Sequence, residues 1–357
     1  MPKDYPRLRL RGVPPDSWKL QGGALPRQRR QLLAREVFRI AFYLPHDHPE
    51  LSLGGSHAMD VYLRAVGEGP GTIHFVHYNH HEGSRLTAEE WRMARGLLGN
   101  TKRWSFPEDY SETEQAQIEK RGFERGLLFT GGPDGRNGYA LEYKARIPWR
   151  PAPQESFVSV LTATLPIEYL EERGPAWVRQ LALDMGSQLR FASGHAGLAL
   201  HVYRGLRLTD DAFRAEALRY PGIDLRAAWR HEERVGLRVD GVHWLNFLGS
   251  PVLTQLGGAA ALRSRLGSAE TTVVELDEER VVVSVGERPE VGELATGKTL
   301  PAYRELARVL EPWLEPLFLP RTAPVEEPRY TSLRLTEPEA RRWWRRFLTE
   351  GPPPRSS

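Results

Sequence analysis

The chain has 357 residues, enough for one large core or two ordinary ones. Forty per cent hydrophobic content and ten tryptophans exclude a disordered chain, and a net charge of +3 is too small to mark a nucleic-acid binder. Cysteine is absent, which excludes a disulfide framework, a thiolate nucleophile and a cysteine zinc site, and fits a reducing cytosol. No stretch is apolar enough for a signal peptide or a membrane span, so a cytoplasmic protein without membrane contact is expected.

Residues 1–34 lack periodicity. Arg7, Arg9, Arg11, Arg27, Arg29 and Arg30 outnumber Asp4 and Asp16, and prolines recur, so this reads as an irregular basic arm. Residues 35–150 read as a first α+β half. Glu36 to Leu44 alternates as a strand, with Phe38, Ile40, Phe42 and Leu44 on one face and Arg39 and Tyr43 on the other. Ser56 is placed to cap a helix carrying Ala58, Val61, Tyr62 and Ala65, and a strand follows from Gly71 to Tyr78. Thr87-Ala88-Glu89-Glu90 is a capping box ahead of the stripe Trp91, Ala94, Leu97 and Leu98. Leu127 to Thr130 and Tyr139 to Ala145 form two strands about a glycine-rich turn.

Residues 151–320 read as a second α+β half, after the joint Arg150-Pro151-Ala152-Pro153. Strands are expected at Phe157–Leu165 and Ala196–Tyr203, and helices from Pro175 and from Thr209-Asp210-Asp211. Val242 to Leu248 is a short apolar strand bounded by Gly241 and Gly249, and Trp244, Leu245 and Phe247 read as packing. Ser250 stands at an N-cap position with Pro251 at the first helical residue, and Gly257-Gly258 separates two short helices. Thr271–Leu276 and Val281–Val285 form a hairpin about Asp277-Glu278-Glu279-Arg280, and Tyr303, Leu306, Ala307 and Leu310 stripe a helix. Residues 321–357 comprise a linker, a tail and a terminal helix. That helix has a capping box at Thr336-Glu337-Pro338-Glu339, apolar Trp343, Trp344 and Phe347, and Arg341, Arg342, Arg345 and Arg346 on the side expected to face solvent. The order implies an α+β fold of mixed, largely antiparallel sheets flanked by helices, with a hint of two pseudo-repeated halves.

The run Gly241-Val242-His243-Trp244-Leu245-Asn246-Phe247-Leu248, the later Leu256-Gly257-Gly258 and Leu300-Pro301-Ala302-Tyr303 resemble the DUF3396 family, also described as the type VI immunity (TsiV) family. The resemblance spans about Glu36 to Leu310 and rests on structural motifs, in which Gly241, Asn246, Gly257, Gly258, Pro301 and Tyr303 join the packed aromatics. It implies a cytoplasmic protein that neutralises a toxin delivered between bacteria, often a VRR-NUC nuclease.

Searches for chemistry are weaker. His46, His48, His74, His77, His80, His81 and Glu82 crowd the first half, but strand alternation sends His74 and His77 to opposite faces. Asp134 with Glu142-Tyr143-Lys144 imitates a metal-dependent nuclease signature, yet Asp134 falls in a glycine-rich turn. No nucleophile elbow or phosphate loop is present. The expectation is therefore a binding protein without catalytic, cofactor or metal residues, which blocks a toxin's active site. A metal-dependent enzyme and a structural subunit of a secretion assembly are the alternatives. Against a nuclease, acidic surface must act locally; the candidates are Glu108, Asp109, Glu112 and Glu114 with Tyr110 as an aromatic anchor, then Asp277, Glu278 and Glu279, then Glu287, Glu290 and Glu293.

Overall fold

Alternation in the second strand organises the molecule. The computed structural model describes residues 5–12, 31–78, 83–102, 111, 113, 123–132, 136–148, 156–202, 208, 210–226, 235–316, 333 and 335–349. Among them, eleven strands form one sheet. The strands are β1 Leu10–Gly12, β2 Gln31–Leu44, β3 Phe75–Tyr78, β4 Ser84–Arg85, β5 Phe123–Thr130 and β6 Ala140–Arg146. They continue with β7 Ser159–Pro166, β8 Ser193–Val202, β9 Leu245–Leu248, β10 Thr271–Glu275 and β11 Val281–Val285. The spatial order is β10-β11-β9-β8-β2-β7-β6-β5-β3-β4, with β1 on β2, and the named pairs are antiparallel. The α+β class expected from the sequence is the class observed. The sheet takes strands from both sides of residue 150.

Strand β2 lies between β7 and β8 and is buried on both faces. One face is apolar. Phe42 packs edge-on against Phe247 at 4.9 Å and beside Phe191 at 5.8 Å, and Phe38 meets Trp244 at 5.9 Å. Burying each such ring contributes roughly 1.5–3 kcal/mol. Helices α1 His48–Val66, α2 Ala88–Gly99, α3 Ile167–Arg173 and α4 Pro175–Gly186 are associated with this layer. Trp91 of α2 stacks on Phe129 at 5.3 Å, and the Tyr62 hydroxyl of α1 donates to the Thr164 carbonyl at 2.8 Å.

The opposite face is largely polar, apart from a small apolar cluster of Ala41, Tyr43, Val158, Val160 and Val235. Cross-strand partners share a face, and the register aligns Arg39 with Thr164 and Gly197, Arg35 with His201, Ala41 with Thr162 and His195, and Thr162 with Glu142. The described part of the arm also joins the sheet region. Tyr5 and Leu8 are buried, Arg7 pairs with Glu171 of α3, and Arg9 pairs with Glu36 and Glu168.

Three local readings are corrected. Helix α1 begins at His48, well before Ser56. Gly54 and Gly55 lie inside the helix and let it approach its neighbours. A Cβ on Gly54 would come within 2.4 Å of the Gln188 carbonyl oxygen, and one on Gly55 within 3.2 Å of Tyr143. The Thr87 box is half made: Thr87 accepts from the Glu90 amide at 3.2 Å, while the Glu90 carboxylate takes the Tyr78 hydroxyl at 2.7 Å. Ser250 does not cap. The Ser250–Pro251 bond is cis, and helix α5 (Asp211–Leu218) is followed by α6 (Val252–Gln255), whose first turn closes through Leu253 N–H to the Gly249 carbonyl at 2.9 Å. Helix α7 (Gly258–Ser264) then starts after Gly257 at φ 88°, a left-handed position that favours glycine.

These glycines behave oppositely on substitution. Gly54→Ala forces backbone apart and is expected to cost about 1–3 kcal/mol. Gly96→Ala in α2 meets nothing within 4 Å and should add up to ~1 kcal/mol through helix propensity. Urea midpoints report both; a rise for both variants contradicts the close approach of α1.

Candidate functional site

Arg39 projects from the polar face of β2 and is 3% exposed, so its charge must be met inside the protein. Two loops return across this face to meet it. The first contains Asp224 and Arg226, and is hydrogen-bonded to β8 through Asp224 N–H to the Leu198 carbonyl at 2.9 Å and Leu200 N–H to the Asp224 carbonyl at 2.8 Å. The second runs from Asp240 to His243 and leads directly into β9.

The charges interlock. Arg39 Nη1 lies 3.3 Å from Asp224 Oδ2, and Arg39 Nη2 donates to the Leu200 carbonyl at 3.1 Å. Arg226 Nε donates to Asp224 Oδ1 at 2.9 Å, and Arg226 Nη2 donates to His243 Nε2 at 2.8 Å. Asp240 Oδ2 accepts from the Tyr43 hydroxyl at 2.9 Å and lies 3.8 Å from Arg226 Nη2. Gly241 is required beside this network. At φ 155° a Cβ there would come within 2.6 Å of the Arg226 guanidinium. Asn246 fixes the loop by accepting from the His243 amide at 2.9 Å and donating to its carbonyl at 2.7 Å.

Electrostatics follow from burial and pairing. Burial alone would raise the Asp224 carboxyl, but Arg226, then His243 and Arg39, hold it well below the carboxylate range. Asp240 is likewise depressed, with His195 and Arg226 outweighing burial. Burial, reinforced by His195, pushes His243 down to about 3. It therefore stays neutral, with Nε2 free to accept from Arg226. Burial and Asp240 raise the Tyr43 hydroxyl.

Among the described residues, His195, Asp224, Asp240 and His243 offer ligand atoms within 4.8 Å of one another. They do not fit a single ion. The His195 and His243 rings stack 3.8 Å apart at 12°. An imidazole lone pair lies in its ring plane, and two nearly parallel planes do not meet at one cation. Arg226 also occupies His243 Nε2 and Asp224, so the positive charge is already supplied by the chain. His195 Nδ1 approaches Asp240 Oδ2 to 2.8 Å, at an angle that makes no hydrogen bond.

The terminal helix α9 (Glu337–Trp344) closes over this network, downstream of α8 (Pro301–Leu310). The Arg226 guanidinium lies 5.7 Å from the Trp343 ring and 5.8 Å from Trp344. Arg346 turns inward as well, 3.8 Å over Trp343, with Nε donating to the Pro221 carbonyl at 2.7 Å. That corrects the expectation of a uniformly solvated arginine face: Arg341 pairs with Glu337 outside, and Arg346 packs inside. The space left beside Arg226, Asp240, Gly241 and Trp344 is about 20 Å³, room for one water.

The motif residues gather around the same region. Trp244 Nε1 donates to the Gly286 carbonyl at 2.9 Å, Leu245 and Phe247 are buried in β9, and Pro301 opens α8. The Tyr303 hydroxyl accepts from the Glu290 amide at 3.3 Å. The acidic candidates scatter. Glu108, Asp109, Tyr110, Glu112 and Glu114 lie outside the described residues. Asp277, Glu278 and Glu279 sit exposed at the β10–β11 tip, where Asp277 pairs with Arg280 at 2.6 Å. Glu287 is exposed; Glu290 lies 3.9 Å from Lys298, and Glu293 pairs with Arg219.

The first-half histidines serve separate purposes. His46 lies 3.5 Å from Glu50, buried His48 contacts the Tyr143 hydroxyl at 3.0 Å, and His77 is 3.4 Å from the Thr130 hydroxyl. His74 packs on Phe75 at 5.4 Å, while His80, His81, Glu82 and Asp134 lie outside the described residues. Glu142 and Lys144 share a face of β6 and pair at 3.2 Å. Sequence reasoning passed over His195, Asp224, Arg226 and Asp240. The available signal was the Asp-Leu-Arg alternation at Asp224–Arg226, after Pro221-Gly222.

A family profile described as TsiV, type VI immunity for VRR-NUC, matches residues 57–347. The fold is similar to that of the Pseudomonas aeruginosa T6SS protein PA0821, with a TM-score of 0.63 and 19% identity, over 89% of this chain and 85% of that one. No curated protein matches the chain.

Removing a partner from the network should be costly. Arg226→Met leaves Asp224 and Asp240 without their shared cation and is expected to lose about 3–5 kcal/mol in urea unfolding; a loss below about 1 kcal/mol contradicts the pairing. Acid should also destabilise the protein. His243, and His48, which burial and then Arg125 push down to about 4, stay neutral where the unfolded chain protonates. The unfolded state then binds more protons below about pH 6.5, so stability declines from there downward. Asp224 and Asp240 are depressed in the folded state; their contribution is present above the unfolded carboxylate pKa of about 3.9 and is lost as pH falls further. A urea midpoint unchanged between about pH 7 and 5 contradicts the neutral histidines.

Proposed function

The chain belongs to the TsiV family, type VI immunity for VRR-NUC, and on that premise we propose that it binds a VRR-NUC toxin and neutralises it by covering the toxin's working surface. The family match over residues 57–347 carries this reading. The chemistry of the fold supports it. The buried charged constellation around Asp224 and Asp240 is neutralised by Arg39 and Arg226 and covered by α9, so it is built to hold loops. Inhibition by contact needs shape and charge at the surface, with no reacting group. We place the protein in the cytoplasm, where a nuclease meets DNA. Among the described residues, no helix is long and apolar enough to cross a membrane.

The metal-dependent alternative receives less support. Glu142 and Lys144 neutralise each other at 3.2 Å across one strand face. The test uses a VRR-NUC domain whose metal-binding carboxylate is replaced, so that it binds duplex DNA without cutting it. Added chain should co-elute with that domain and displace labelled DNA. Full DNA binding by the domain in the presence of saturating chain would overturn occlusion, and absence of co-elution would overturn the partnership itself.

A further inference from the structure

We propose that the toxin-binding face is the surface formed by the N-terminal half of α1, the turn after α4 and the β10–β11 tip, with Leu53 as the apolar anchor and Glu278 and Glu279 directed at the basic groove of the nuclease. This rests on the occlusion reading above and adds where contact is made.

Leu53 is 83% exposed, beyond Met93 at 49% and Leu237 at 45%. A single exposed leucine is ordinary; its setting is what matters. Helix α1 buries Leu51, Ala58, Met59 and Tyr62, and leaves Leu53 outside, one turn before His57. The next residue, Gly54, is pressed on the Gln188 carbonyl, and the His57 ring lies 3.2 Å from the Asp184 carbonyl and 3.3 Å from the Ser187 hydroxyl. Arg280 holds the same turn. Its guanidinium donates to the carbonyls of Leu189, Ser187 at 3.1 Å and Gly186 at 3.3 Å, and lies 5.5 Å over Phe191. Leu53 and the hairpin tip are therefore parts of one surface, joined through residues 184–189.

The tip is rigid. Arg280 pairs with Asp277 at 2.6 Å, and Asp277 Oδ1 accepts from the Glu279 amide at 3.0 Å. Glu278 and Glu279 have no intramolecular ion pair among the described residues, whereas Glu290 and Glu293 are engaged by Lys298 and Arg219. Charge at the face is negative: Asp184, Glu278 and Glu279 stand against Arg190, with Asp277 and Arg280 cancelling. A nuclease must present a basic groove to phosphate. Exposed carboxylates beside an apolar anchor fit such a groove and its rim.

Binding of the metal-site-inactivated VRR-NUC domain tests the assignment, using full-length chain and variants with unchanged urea midpoints. Leu53→Lys should weaken binding at least about tenfold, the loss of a central anchor. Glu278→Lys with Glu279→Lys should weaken it by a similar factor and flatten its dependence on salt. Glu287→Lys should bind like wild type. If the wild-type complex forms and both face variants bind within about twofold of it, or Glu287→Lys weakens it equally, the face is wrong while occlusion stands. If wild-type chain fails to bind, the occlusion reading falls and this face with it.

Discussion

A guanidinium on a strand buried from both sides is the constraint to which the rest of the structure answers. Arg39 cannot reach water, so Asp224 must come to it, and Arg226 and Asp240 complete the balance of charge. Such a set adds little net stability compared with a well-packed apolar one, because desolvation offsets attraction. Its value lies in position: it holds both loops over β2, Asp224 and Arg226 from the first and Asp240 and His243 from the second. The second loop continues as β9, β11 hangs on β9, and β10 hangs on β11. The hairpin tip is thus located by charges at the centre of the sheet.

Much of this was legible in the sequence. Alternation at Phe38–Leu44 gave a strand with one apolar face, and the acidic turn at Asp277–Arg280 gave its hairpin. The capping box at Thr336 marks the terminal helix, with Glu339 returning to the Thr336 amide at 2.8 Å. The misses share a cause: contacts between distant segments are invisible to local rules. Ser56 reads as a helix cap, yet α1 runs through Gly54 and Gly55, where the Gln188 carbonyl lies against the missing Cβ of Gly54. Asp224, Arg226 and Asp240 read as ordinary loop charges until β2 supplies Arg39 beneath them. His243 lay inside the recognised motif, yet nothing local distinguishes a histidine that packs from one that accepts a hydrogen bond from Arg226.

The fold divides its charges into two populations. Those at the centre of the sheet pair with one another and fix the chain; at the hairpin tip Asp277 pairs with Arg280, while Glu278 and Glu279 stand exposed. A net charge of +3 describes neither population, which is why composition argued against acidic mimicry while the local surface permits it. The terminal helix belongs to the first population. Its tryptophans and Arg346 seal the network, so these aromatic residues serve the protein's own core.

Stoichiometry is the most direct measure of whether this protein acts by contact alone. A fixed amount of active VRR-NUC nuclease is titrated with the chain, and DNA cleavage is followed at each ratio. A blocking protein removes activity in proportion to its concentration, reaches completion at equimolar ratio, and releases nuclease of unchanged mass and restored activity on dissociation. Complete inactivation by a small fraction of an equivalent, or recovery of a covalently altered nuclease, would show turnover and contradict the account.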